Sequence, residues 1–136
     1  MIMTSLLLVE DHAVFAEALV RVLQEKDNLE VVKVVETAEE ALKALPDLNV
    51  DLALVDVSLP RMSGIELVTL LRQEYPQMVC LMISGHASGN YVRRSLEAGA
   101  RGYAIKDSAA GIVEGIKRVL NGEIYVSKEI QNYDRV

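Results

Sequence analysis

Short apolar runs rich in β-branched residues alternate with longer segments whose apolar residues recur at helical spacing, and the alternation repeats five times along the chain. A chain patterned in this way buries each strand on both faces, because every parallel crossover lays a helix over the sheet. The strand candidates are Ser5 to Val9, Leu29 to Val35, Leu52 to Val55, Met78 to Ile83 and Gly102 to Ile105. Between and after them, Phe15, Ala18, Leu19, Val22 and Leu23 fall on one helix side, as do Leu67, Val68 and Leu71, and later Ile112, Ile116, Val119 and Leu120. Punctuation agrees with these periods. Thr37-Ala38-Glu39-Glu40 has the form of a capping box opening a helix that stops near Pro46. Pro60 and Gly64 mark a loop, Gly99 is placed to end a helix over Ser88 to Ala98, and the last helix runs from near Ser108 to Asn121-Gly122.

Five β-α units joined by right-handed crossovers predict an α/β fold. Its parallel sheet has five strands in flavodoxin-like order 2-1-3-4-5, with helices on both faces. The expected domain occupies residues 1–122, and residues 123–136 are read as a linker toward an output domain or as a C-terminal tail. The 136 residues suit one domain, and a hydrophobic content of 51% supplies its core. The longest apolar run, Met78 to Ile83, is too short for a bilayer, and residues 1–5 carry no Lys or Arg of the kind that opens a secretory signal. No membrane association is expected. The single cysteine, Cys80, sits in that apolar run and reads as a core residue of a protein in the reducing cytoplasm. With 20 acidic against 14 basic residues, the net charge of −6 repels a nucleic-acid backbone and favours metal cations and basic partner surfaces.

Ligands of doubly wound sheets bind beyond the carboxyl ends of the strands, where strand order reverses. There the first strand ends in Glu10-Asp11-His12, the third in Asp56, the fourth in Ser84-Gly85-His86 and the fifth in Lys106-Asp107. Three carboxylates would meet at this edge, flanked by a hydroxyl and an ammonium. Clustered carboxylates call for a cation, and an all-oxygen site suits Mg²⁺. A carboxylate can also act as a nucleophile and form an aspartyl phosphate, with lysine and Mg²⁺ neutralising the transferring oxygens.

The ordered set Glu10-Asp11, Asp56 to Gly64 (DVSLPRMSG), Ser84-Gly85 and Gly102 to Asp107 (GYAIKD) resembles the signature of two-component response-regulator receiver domains over about residues 5–122. Gly99 to Tyr103, Lys106-Asp107 and Gly122 to Ser127 resemble the NarL/FixJ (LuxR-type) class. The resemblance implies that Asp56 accepts a phosphoryl group from a sensor histidine kinase. It further implies that Glu10, Asp11, Asp56 and the backbone carbonyl of Ser58 hold Mg²⁺, and that Lys106 pairs with Asp56 or the phosphate. Ser84 stands at the switch hydroxyl, Gly85 leaves the phosphoryl path open, and Tyr103 stands at the aromatic switch position. The implied role is a signalling switch that assists its own phosphorylation and dephosphorylation, not an enzyme. A homodimer is among the partners implied. DNA is reached only through a helix-turn-helix domain, which would lie beyond Val136 in the parent protein of a fragment; a stand-alone receiver is the alternative.

Taken singly, these residues have ordinary explanations. Glu10, Asp11 and Ser84 could be helix caps, Asp56 a turn residue, Lys106 a solvated charge and Tyr103 a packed aromatic. Their joint placement favours the site. His12 follows the acidic pair and His86 sits two positions after Ser84, but imidazole prefers softer ions than Mg²⁺; a role of His86 in dephosphorylation is a hypothesis. Many receivers have a cis proline after the strand-5 lysine. Asp107 stands there instead, and a non-proline cis bond costs about 3 kcal/mol, so the geometry of that peptide is open. A haloacid-dehalogenase-like phosphatase would need an Asp-x-Asp after the first strand, which Glu10-Asp11-His12 lacks. A flavodoxin-like carrier would need a phosphate loop where Glu10 and Asp11 repel phosphate. A receiver that is never phosphorylated is the remaining alternative.

Overall fold

The computed structural model describes residues 2–130; Met1 and residues 131–136, the end of the segment read as a linker, lie outside the described residues. The elements run β1 (Thr4–Val9), α1 (Ala13–Gln24), β2 (Leu29–Val35), α2 (Ala38–Ala44), β3 (Leu52–Asp56), α3 (Gly64–Glu74), β4 (Val79–Ser84), α4 (Gly89–Ala98), β5 (Gly102–Ile105), α5 (Ala109–Leu120) and β6 (Tyr125–Val126). The parallel sheet has the order β2-β1-β3-β4-β5-β6. Its first five strands stand as the sequence predicts. The sixth is an addition to the five-stranded expectation, and it comes from the segment read as linker or tail.

The period of two along each strand divides the core. Leu7, Val9, Ala53, Val55 and Met82 face α2, α3 and α4 through Ala41, Leu67, Leu71 and Val92. Leu6, Leu8, Leu54, Leu81 and Ile83 face α1 and α5 through Leu19, Leu23, Ile112 and Ile116. Alternate side chains going to opposite, equally covered faces explain why LALV at 52–55 is apolar throughout. Cys80 is buried, as expected, and burial pushes its thiol up to about 12.

Several local expectations need correction. The α1 core face is Ala16, Leu19 and Leu23; Ala18 points to solvent and Val22 is only partly covered. Leu120, expected in the core, is 38% exposed at the end of α5. Thr37 caps α2 by accepting from the Glu40 N–H at 3.0 Å, but Glu40 reaches the N–H of Glu36, not of Thr37, so the box is only half made. The reciprocal capping box lies at α3, where Ser63 Oγ accepts from Glu66 N–H and Glu66 Oε1 accepts from Ser63 N–H.

Gly102 shows how tightly β6 is applied. A Cβ there would meet the Tyr125 carbonyl oxygen and a Leu81 methyl, both at 2.8 Å. Gly102→Ala should therefore cost about 1–3 kcal/mol of stability by overpacking. Denaturant unfolding measures the loss, and hydrogen exchange should be fastest at Tyr125 and Ser127, which donate to Arg101 and Tyr103.

Candidate functional site

Because β1 lies between β2 and β3, the connections after β1 and β3 diverge and leave a crevice at their carboxyl ends. Glu10 and Asp56 face each other across it, and Lys106 reaches in from the end of β5. The Lys106 Nζ lies 2.7 Å from Glu10 Oε1 and 2.9 Å from Asp56 Oδ2. Glu10 is 1% exposed and Asp56 4%, whereas Asp11 beside them is exposed. One oxygen from each of Glu10, Asp11 and Asp56 lies within 4.8 Å of the others.

Each group is held by backbone. Glu10 Oε2 accepts the N–H of His12, the residue that precedes α1, at 2.9 Å. Asp56 Oδ1 accepts the N–H of Ser58 at 3.1 Å. The Val57 N–H donates to the Ile83 carbonyl, and the Gly64 N–H donates to the Val57 carbonyl, both at 3.0 Å. A Cβ on Gly64 would overlap the carbonyl oxygen of Asp56, so only glycine lets α3 start this close behind the carboxylate. Lys106 donates its backbone N–H to the Ser84 carbonyl at 2.8 Å, and its ammonium lies 5.0 Å from the centre of the Phe15 ring. The Lys106–Asp107 peptide is trans.

Burial raises the carboxyl of Glu10 above its ordinary value; the Lys106 ammonium and the His12 N–H pull it down, and Asp56 pushes it up. Burial alone would lower Lys106, but Glu10 and Asp56 outweigh it and hold the ammonium above the usual lysine value. The Lys106 ammonium is shared between Glu10 Oε1 and Asp56 Oδ2. Three carboxylates against one ammonium and an all-oxygen donor set fit a hard divalent cation such as Mg²⁺.

Ser84 and Tyr103 meet through the backbone of His86. The His86 N–H donates to Ser84 Oγ at 3.0 Å, and the Tyr103 hydroxyl donates to the His86 carbonyl at 2.9 Å. Tyr103 is fully buried, and burial raises its hydroxyl, against a lowering effect of Ser84. A Cβ on Gly85 would meet nothing within 4 Å, so the space beyond it is open. The side chains of His12 and His86 are exposed, and neither belongs to a cluster of metal-ligand atoms among the described residues. The structure thus brings Glu10, Asp11, Asp56 and Lys106 into one cluster, with Ser58 backing Asp56. Sequence reasoning missed the seat that Gly64 provides, the Phe15 ring over Lys106 and the His86 link. Gly64 and Phe15 were visible only as a loop marker and a helix-face residue.

A family model described as "Response regulator receiver domain" matches residues 6–117. The transcriptional regulatory protein DegU of Brevibacillus brevis is 32% identical over 92% of this chain and 53% of its own length. The transcriptional activator protein ExaE of Pseudomonas putida is 36% identical over 92% of this chain and 59% of its own. The chain therefore spans a little over half the length of these curated relatives. A two-component response regulator of the LuxR family from Aurantimonas sp. SI85-9A1 superposes with a TM-score of 0.91 at 28% identity, over 96% of this chain and 94% of that one.

Replacing the shared ammonium tests the electrostatics directly. Lys106→Met leaves two facing buried carboxylates, and at neutral pH without divalent cations it should cost about 2–3 kcal/mol. Glu10, already raised, moves further up when Lys106 is lost. A carboxyl with a raised folded value contributes stability below its unfolded value and loses it as pH rises through the folded one. The variant's deficit should therefore be largest at neutral pH and shrink in mild acid, as denaturant midpoints across pH would show.

Proposed function

The chain belongs to the response regulator receiver domain family, and from that premise we propose that it takes up a phosphoryl group on Asp56 from the phosphohistidine of a sensor kinase, or from a small phosphodonor. The observation that carries this reading is the convergence of Glu10, Asp11, Asp56 and Lys106 at the crevice, with one ammonium against three carboxylates. Glu10, Asp11, Asp56 and the Ser58 carbonyl would hold Mg²⁺, which when bound neutralises charge on the transferring phosphoryl oxygens.

A carboxylate oxygen of Asp56 attacks phosphorus. The new P–O bond forms as the P–N bond to the donor imidazole breaks, and that electron pair leaves with the donor. Lys106 then pairs with the phosphoryl oxygens, being within reach of Asp56 already. The Ser58 N–H steadies the carboxylate. Open space at Gly85 admits the donor. The Ser84 hydroxyl turns to a phosphoryl oxygen, which breaks its bond from the His86 N–H. The loop at His86 is thereby freed, and with it the carbonyl that holds the Tyr103 hydroxyl. Phosphorylation so shifts the population of a two-state loop and aromatic ring and alters the surface built from residues 88–106. Hydrolysis of the aspartyl phosphate, assisted by the same residues and tuned by His86, resets it.

On this reading the chain is a signalling domain in the cytoplasm. No helix among the described residues is long and apolar enough to cross a membrane. The relatives are transcriptional regulators. Transcriptional control would pass through a homodimer and a DNA-binding helix-turn-helix domain, with the segment after residue 122 leading toward it.

Intact mass after incubation with acetyl phosphate and Mg²⁺ tests the proposal. The native chain should gain one phosphoryl group. Asp56→Asn should gain none, and Asp11→Asn should label at least about tenfold more slowly, the effect of losing one interaction of about 1.4 kcal/mol in the transition state. A native chain that stays unlabelled while another receiver labels would overturn the reading in favour of a phosphorylation-independent role.

A further inference from the structure

The chain does not leave the domain when α5 ends. Tyr125 and Val126 pair with Gly102 and Tyr103, and the Ser127 N–H then donates to the Tyr103 carbonyl at 3.1 Å. In a parallel ladder the next rung would be the Ile105 N–H donating to the Ser127 carbonyl. That rung is made differently. The Ile105 N–H donates to Ser127 Oγ at 2.9 Å, in a buried contact. The Ser127 carbonyl is left to accept the Ile130 N–H at 3.0 Å. The serine hydroxyl thus lets the backbone turn away while the buried amide of β5 stays paired. Ser127 is 4% exposed, and Ile130 packs into the same core cluster as Tyr103 and Ile105.

Ile105 immediately precedes Lys106, so the end of β5 is gripped from two sides. On one, the Lys106 N–H is bound to the Ser84 carbonyl of β4; on the other, the Ile105 N–H is bound to Ser127. We infer that Ser127 is a positioning residue for Lys106: its hydroxyl fixes the last residue of β5 so that the ammonium falls between Glu10 and Asp56. The inference rests on the role proposed for Lys106 above. It deepens that role, because the residue lies in a segment read from sequence as linker. An alanine would leave the Ile105 amide unpaired or force the strap to give up its turn at Ile130.

The test compares the native chain with Ser127→Ala, Ser127→Thr and Ser127→Cys, each assayed well below its Tm. Without metal or phosphodonor, amide hydrogen exchange of Ile105 and the NMR signals of the Lys106 amide and ammonium report the geometry. With acetyl phosphate and Mg²⁺, the initial labelling rate reports its consequence. Ser127→Ala should exchange the Ile105 amide faster, shift both Lys106 signals and label about tenfold more slowly, on the order of one buried hydrogen bond. Ser127→Thr, which keeps the acceptor, should restore all three; Ser127→Cys, a weak acceptor of similar size, should fall between and serves as the test if the alanine variant does not fold. Native Lys106 signals and a native rate in both Ser127→Ala and Ser127→Cys would overturn the inference. So would a threonine variant as impaired as the alanine one, since packing would then be the cause. A native chain that takes no phosphoryl group would overturn the function proposed for Asp56 instead. The Lys106 signals would still decide the positioning claim, which falls if Ser127→Ala leaves them unmoved.

Discussion

One ammonium shared by two buried carboxylates organises this molecule's functional edge. Lys106 stands at the end of β5, and Asp56 ends β3, with β4 hydrogen-bonded between those strands. The pairing therefore spans the sheet across β4 to the crevice beside β1. Burial raises the carboxyl of Glu10, and the nearby ammonium offsets part of that cost. The ammonium is shared, one positive charge against three clustered carboxylates. The site is thus held together by Lys106 and still suited to a second cation.

Several surrounding contacts fix the backbone that carries those groups. Gly64 lets α3 begin against the Asp56 backbone, and the Ser63–Glu66 capping box fixes that start. The Ser84 carbonyl holds the Lys106 amide, while the Ser84 hydroxyl holds the His86 amide. A single serine therefore touches both the strand that carries the lysine and the loop whose carbonyl binds Tyr103. On the proposed reading, a change in what the hydroxyl binds would reach the aromatic ring through these two consecutive bonds and bias two states of the loop.

The alternation of strands and helices was legible because their periods leave different marks, as LALV at 52–55 and Leu67-Val68 illustrate, and the sheet order followed from the rule for five such units. The converging residues at the strand ends were legible for a related reason: in a parallel sheet all the carboxyl ends share one edge. Finer features were not. Helical periodicity gives the direction of a face but not its width, which is why Ala18, placed on the apolar face, and Leu120, placed in the core, both lie toward solvent. Capping chemistry depends on which N–H the acid reaches, so Thr37 and Glu40 made a persuasive pattern and only half the geometry. The sixth strand has two residues in a mixed polar segment, too short for any period, and the rung just beyond it, at Ile105, uses a side-chain hydroxyl in place of a backbone carbonyl. Only tertiary contact reveals that.

We propose that the crevice between Glu10, Asp56 and Lys106 receives a phosphoryl-like group together with a divalent cation. Fluorine NMR of the chain with beryllium fluoride, whose trifluoride complex imitates a phosphoryl group on a carboxylate, tests this without any donor or turnover. Bound fluorine signals that require Mg²⁺ and Asp56, and whose formation shifts the Lys106 ammonium resonance, are the predicted result. A spectrum showing only free beryllium fluoride species at saturating Mg²⁺ would contradict the claim.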